Sequence, residues 1–240
     1  MMENQAKVEP VFSAGKGVGW GDQAPCLFCT TGRFLRPGYQ NNLVASWLPA
    51  LDGVVAKLER GATVADVGCG HGFSMIFMAR AFPKSTFVGY DFHPASVEQA
   101  RVHAEKLGVT ANVKFEVAKA SDFPGKDLDF VTFFDCLHDM GDPVGAARHV
   151  RPTLKPDGSW MIVEPAAGDR LEDNLNPVSR MYYAASTMNC VPTSLDQPVG
   201  AAFGAQAGFA RLSSAIKEGG FAKVRRAADT PFNMILEAGL

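Results

Sequence analysis

In "TVADVGCGHGF", residues 63–73, an apolar run carries Asp66, and Gly68, Gly70 and Gly72 then alternate with Cys69 and His71. Glycines at 68 and 70 let the backbone turn sharply and approach a ligand with no Cβ between. A dinucleotide site uses G-x-G-x-x-G, with a pyrophosphate on the following helix N-terminus. Here the spacing is G-x-G-x-G, and Phe73 stands at the third glycine position. A carboxylate at Asp66 would repel a pyrophosphate but suits an ammonium group, directly or through water. The expected ligand is a nucleoside with an amino-acid tail, which describes S-adenosylmethionine. Asp91 follows roughly 20 residues later, where an acid can accept from both ribose hydroxyls. In "KASDFPG", Asp122 can accept from an adenine amino group and Phe123 can pack on the ring; Cys69, Phe92 and Ser121 complete the expected cofactor contacts.

His138, in "DCLHDM", is suited to a second task. An imidazole with a pKa near 6.5 can take a hydroxyl proton at neutral pH. The alternative is that it caps the next helix or packs in the core. Cys26 and Cys29 form a CxxC, but no second pair exists to complete a zinc site, and no metal is expected.

Alternating elements must position these groups. "TVADV", "TFVGYD", "NVKFEVA", "LDFVTFF" and "SWMIVEP" read as strands. Helical patterns separate them over 73–82, 94–107 and 144–154, and others run over 43–58, 177–188 and 209–218. "KPDG" reads as a turn, and "FAKVRRAA" and "FNMILEA" as a closing hairpin. The expected fold is α/β: a Rossmann-like, open, mostly parallel seven-stranded sheet with helices on both faces and an antiparallel C-terminal hairpin. Residues 1–40 are Gly-rich and aperiodic and are expected to form an irregular extension, with one domain over 41–240.

The composition agrees. The 240 residues are 47% hydrophobic and carry a formal net charge of −2, so neither a nucleic-acid nor a membrane partner is expected. Five cysteines make no disulfide framework, and "MMENQAKVEP" lacks an apolar leader core, so a cytoplasmic location is expected.

"VADVGCGHG", the acid of "VGYDF", "ASDF" and the final hairpin resemble the class I S-adenosylmethionine-dependent methyltransferases. "FFDCLHDMGDP", "WMIVEP" and "RRAADTPFNMILEA" resemble a bacterial small-molecule group similar to plant-type O-methyltransferases. The resemblance covers roughly residues 40–240. It implies methylation of a small, hydrophobic or aromatic acceptor, at oxygen. His138 would be the base, Asp139 its adjoining acid, and Glu164 the acid that orients it. Asp135 and Cys136 would pass the cofactor, and Met181 and Tyr182 would lid the acceptor, with Phe34 and Tyr39 closing the cofactor side. Such proteins usually carry an N-terminal winged-helix dimerisation domain, for which this sequence is expected to begin too late, so the resemblance leaves a homodimer open. Two rivals remain: an NAD-dependent oxidoreductase, and a module that binds S-adenosylmethionine without turnover.

Overall fold

The computed structural model describes residues 2–240. The chain opens with helices, not with the irregular segment expected over residues 1–40. Helix α1 spans Gln5–Ser13 and α2 spans Pro25–Gly38. Leu27, Thr31 and Leu35 recur every four residues along α2, and Pro25 sits in its first turn, where a missing N–H costs nothing. The helix then continues in wide π turns over Tyr39–Trp47, burying Tyr39, Leu43 and Trp47 at the same spacing. Pro49 falls in a 3-10 turn, and a new helix, α3, Val54–Arg60, starts after Gly53 at φ +70°.

From there strands and helices alternate: β1 Thr63–Val67, α4 Phe73–Ala81, β2 Thr86–Asp91, α5 Pro94–Lys106, β3 Val113–Val117 and β4 Leu128–Phe134. Next come α6 Pro143–Val150, β5 Leu154–Pro165, α7 Pro177–Ala185, α8 Val191–Leu195 and α9 Gly208–Glu218. The hairpin of β6 Lys223–Asp229 and β7 Asn233–Gly239 closes the chain. "KPDG" is not a free turn: β5 begins at Leu154, and a bulge carries residues 155–158 before pairing resumes at Ser159.

The seven strands lie in the order β3-β2-β1-β4-β5-β7-β6. All pairings are parallel except those of β7, which runs antiparallel to both β5 and β6. Because both faces are covered, β4 is mostly apolar: Phe130 and Phe134 join one core layer, Val131 and Phe133 the other. The strand order reverses between β1 and β4. Chains leaving their carboxyl ends go opposite ways there, and the crevice so opened is where ligands enter such sheets.

Candidate active site

A cavity of about 540 Å³ opens at that crevice, lined by the loop after β1, the ends of β2 and β4, and residues of α2 and α8. Gly68, Gly70 and Gly72 have φ of +75°, +50° and +78°, a region that glycine enters without strain. A Cβ on Gly68 would lie 2.7 Å from Cys136 Sγ, whereas one on Gly70 would meet nothing within 4 Å. The space over Gly70 is thus left to a ligand. Asp91 Oδ2 accepts from the Gly70 amide at 2.9 Å and Oδ1 from the His93 amide at 2.9 Å, so the acid of β2 also braces the loop. Burial raises its pKa, against the pull of those two hydrogen bonds. Gly68, Cys69, Gly70, Asp91, Phe92, Ser121, Asp135 and Cys136 all line this cavity.

Other expected contacts fall elsewhere. Asp66 is fully buried beneath the loop, with Oδ2 taken by Ser74 Oγ at 2.8 Å and Oδ1 by Thr132 Oγ1 at 2.9 Å. Ser74, not Asp66, reaches the cavity. Burial lifts the Asp66 pKa to about 7 in spite of both hydroxyls. Asp122 points back to cap its own turn, accepting from the Lys119 amide at 3.0 Å. Phe123 is buried in the core against Tyr90 and His149, off the cavity lining. In return, Trp20, Phe28, Thr31 and Leu35 of the N-terminal helices roof the cavity, and Asp196, Gln197 and Pro198 close it after α8. The four-residue spacing along α2 was the readable signal for that roof.

A row of polar groups runs below the cavity floor. Glu164, at the end of β5 and fully buried, accepts from the Leu137 amide at 3.0 Å through Oε1 and holds His138 Nδ1 at 2.5 Å through Oε2. His138 Nε2 lies 3.1 Å from Asp139 Oδ1, an ion-pair distance without hydrogen-bond alignment. Burial pulls the imidazole pKa down, but Asp139 and Glu164 outweigh it and hold it well above 6.5. The raised pKa favours the charged imidazole, in which both nitrogens donate. It also stands outside the cavity lining, where Asp139 takes its place. His138, Asp139 and Cys190 bring possible ligand atoms within 4.8 Å of one another.

Asp135 ends β4 with φ +50°, unusual for a residue with a Cβ. Its Oδ2 accepts from Tyr39 Oη at 3.1 Å and its Oδ1 from Asn233 Nδ2 at 2.8 Å. Burial raises its pKa to about 7; Glu164 adds to the rise, while His138, Tyr39 and Asn233 oppose it. Behind those two partners lies a second cavity of about 490 Å³, whose walls include Phe34, Tyr39, Tyr182 and Phe232. Phe34, Tyr39 and Tyr182 thus meet in one place. Met181 does not join them; it packs beside Tyr182, Cys190 and Ala205.

An open parallel sheet with a glycine loop over its switch point, and an acid on the adjacent strand end, defines a Rossmann-like nucleotide-binding protein. The family described as "Methyltransferase domain" matches residues 58–218, and the chain belongs to it. A ubiquinone biosynthesis O-methyltransferase of Xanthomonas euvesicatoria is 35% identical over 115 residues, 47% of each chain. One from Neisseria meningitidis is 35% identical over 105 residues, 41% of this chain and 42% of the relative. The chain thus spans about half the length of the curated relatives it matches. Among solved structures, PigF with SAH aligns over 99% of this chain and 70% of its own at TM-score 0.75 and 14% identity. An O-methyltransferase family protein from Burkholderia thailandensis aligns over 99% and 68% at TM-score 0.69 and 21% identity. At those identities the likeness establishes the fold. Among the described residues, no helix is long and apolar enough to cross a membrane.

Proposed function

We propose that the protein methylates an oxygen of a small aromatic molecule, using S-adenosylmethionine. The observation that carries this is the open space over Gly70, bordered by Asp91 and Ser74, in a chain of the methyltransferase family. Asp91 suits the ribose hydroxyls, since each oxygen keeps a lone pair beyond its backbone bond. Gly68, Cys69 and Gly70 suit the methionyl tail, with Asp66 acting through Ser74. Phe92 and Ser121 flank the adenosine end, and Asp135 and Cys136 face the sulfur. The bound cofactor supplies an electrophilic methyl group. The protein aligns the acceptor with it and accepts a proton.

His138, Asp139 and Glu164 then act as a positioning row rather than with His138 as a free base. The charged imidazole fixes Asp139 at the cavity wall, where it can orient the acceptor. Residues 41–240 form the catalytic domain in this reading, and the first forty residues roof it.

The testing experiment incubates the protein with S-adenosylmethionine and a panel of phenols, and looks for S-adenosylhomocysteine and methyl ethers by mass spectrometry. Ether formation is expected. Cofactor binding with no product from any acceptor would favour the non-catalytic module, and NADH binding in its place would favour the oxidoreductase.

A further inference from the structure

We infer that His138, Asp139 and Cys190 bind one divalent ion of the zinc type, at a site that does not rest on the methyl-transfer reading. An imidazole nitrogen, a carboxylate oxygen and a thiol sulfur, one from each residue, lie within 4.8 Å of one another. His138 Nε2 and Asp139 Oδ1 are 3.1 Å apart. Two such ligands on one tetrahedral zinc, each about 2.0–2.2 Å from it, stand about 3.3–3.5 Å from each other. The three side chains therefore need only small rotations to close on an ion.

Two turns bring the ligands together. His138 and Asp139 sit on the 3-10 turn Leu137–Asp139 that follows β4, and Cys190 ends the wide π turn Ser186–Cys190 that follows α7. Wide turns of this kind are frequent at functional sites. Three hydrogen bonds brace the first turn. Gln197 Nε2 donates to the Asp139 carbonyl at 2.9 Å, Ser194 Oγ to the Met140 carbonyl at 2.8 Å, and the Gly204 amide to the His138 carbonyl at 3.2 Å. His138 and Cys190 are buried. Asp139 Oδ1 is buried too and accepts no hydrogen bond, since the imidazole beside it is misaligned for one. A buried carboxylate oxygen without a donor is costly, and a bound cation would satisfy it.

The other nitrogen of His138 carries the argument further. Nδ1 lies 2.5 Å from Glu164 Oε2, and Glu164 Oε1 accepts from the Leu137 amide at 3.0 Å. A histidine that binds metal through one nitrogen almost always donates the other N–H to a carboxylate, carbonyl or water, which fixes its tautomer and strengthens it as a ligand. Without metal, the row holds a proton on Nε2. The ion takes that proton's place, leaving a neutral imidazole, and Cys190 binds as a thiolate. A thiolate, an imidazole and a carboxylate suit zinc, whereas magnesium and calcium take oxygen donors. Three protein ligands leave a fourth position, and Asp139 borders the cofactor cavity, so an oxygen donor such as water reaches the ion from that side. The cysteine spacing does not reveal this set. Its thiol comes from a separate turn, and the visible pair, Cys26 and Cys29, is exposed on α2.

The test uses the full chain carrying Cys26→Ala and Cys29→Ala, so that the exposed pair captures no metal, with zinc and cobalt(II) salts as probes. After dialysis against a chelator, calorimetry should read one zinc per chain, and the melting temperature should rise as zinc is added. Cobalt(II) should give the strong visible absorption of a tetrahedral site together with a near-ultraviolet thiolate-to-cobalt band. Cys190→Ser in that background should lose the thiolate band. It should also weaken zinc by more than the roughly 10–100-fold typical of removing an outer partner. Glu164→Gln should weaken zinc within that range and keep the thiolate band. No zinc uptake by the Cys26→Ala, Cys29→Ala protein, or cobalt bound there without a thiolate band, would overturn the inference whether or not the further variants fold. Equal zinc affinity in folded Cys190→Ser would overturn it as well.

Discussion

Asp135 and His138 lie three positions apart and have opposite settings. His138 is gripped by two carboxylates, so its proton is held where none is wanted. Asp135 is gripped by a phenol and an amide, and burial lifts its pKa to about 7. The residue types alone suggested the reverse, because an isolated histidine titrates near neutrality and an isolated aspartate does not. What reverses them is burial and partner charge, which only the fold supplies. His138→Ala would leave the buried Glu164 carboxylate without its cationic partner. Loss of one partner of such an arrangement costs about 3–5 kcal/mol. Thermal unfolding should therefore shift down by roughly 10 °C, at about 2–4 °C per kcal/mol for a chain of this size. A melting point unchanged from wild type would show that the row carries no charge.

The glycine loop shows how one element makes separate demands at neighbouring positions. Gly68 needs both its left-handed φ and its missing Cβ, because Cys136 Sγ fills the space. Gly70 needs the φ, but the space beside it is open. Gly68→Ala should therefore lower both the melting temperature and S-adenosylhomocysteine affinity. Gly70→Ala should fold with a loss of about 1–2 kcal/mol and lose affinity by tenfold or more. Equal stability losses in the two variants, read by differential scanning calorimetry, would contradict this division. The loop was legible because glycines at alternate positions after an apolar run have few other uses. The roof was masked in spite of the spacing of Leu27, Thr31 and Leu35: Pro10, Gly32 and Pro37 punctuate α1 and α2, and the helices hold by tertiary bonds. Asn4 and Gln23, both buried, bond each other at 2.6 Å, and Gln23 reaches Thr193 Oγ1 at 3.2 Å. Gln23→Leu should free the roof from α8. Limited proteolysis within residues 1–38 should then quicken, and bound S-adenosylhomocysteine should dissociate several-fold faster; unchanged rates would mean the roof is held by packing alone.

At the scale of the molecule, the sheet was readable in advance because its parallel strands are covered on both faces and so appear as apolar runs, β4 above all. Bulges, capping acids and the depth of Asp66 and Phe123 were not, since these depend on which strand end lies beside which. That depth has a consequence for pH. Asp66 and Asp135 are each raised by burial to about 7. Between the ordinary carboxyl pKa near 4 and about 7, the folded protein binds protons that the unfolded chain has released. Stability must therefore fall as pH rises through that window. From pH 6 to pH 8 the two acids together cost on the order of 2 kcal/mol, so the ligand-free protein should melt several degrees lower at pH 8. Asp135→Asn should remove about half of that difference. A melting temperature that is flat or higher at pH 8 would show these acids to be ionised at both values.

The central claim is that the bare bend after β1 and the acid ending β2 hold a sulfonium nucleoside. Titration of S-adenosylmethionine into wild type and Asp91→Ala, by calorimetry with NADH as control, reads it most directly. The account predicts one site per chain in wild type, affinity reduced tenfold or more in Asp91→Ala, and no heat with NADH. Saturable NADH binding with no heat from S-adenosylmethionine would contradict it.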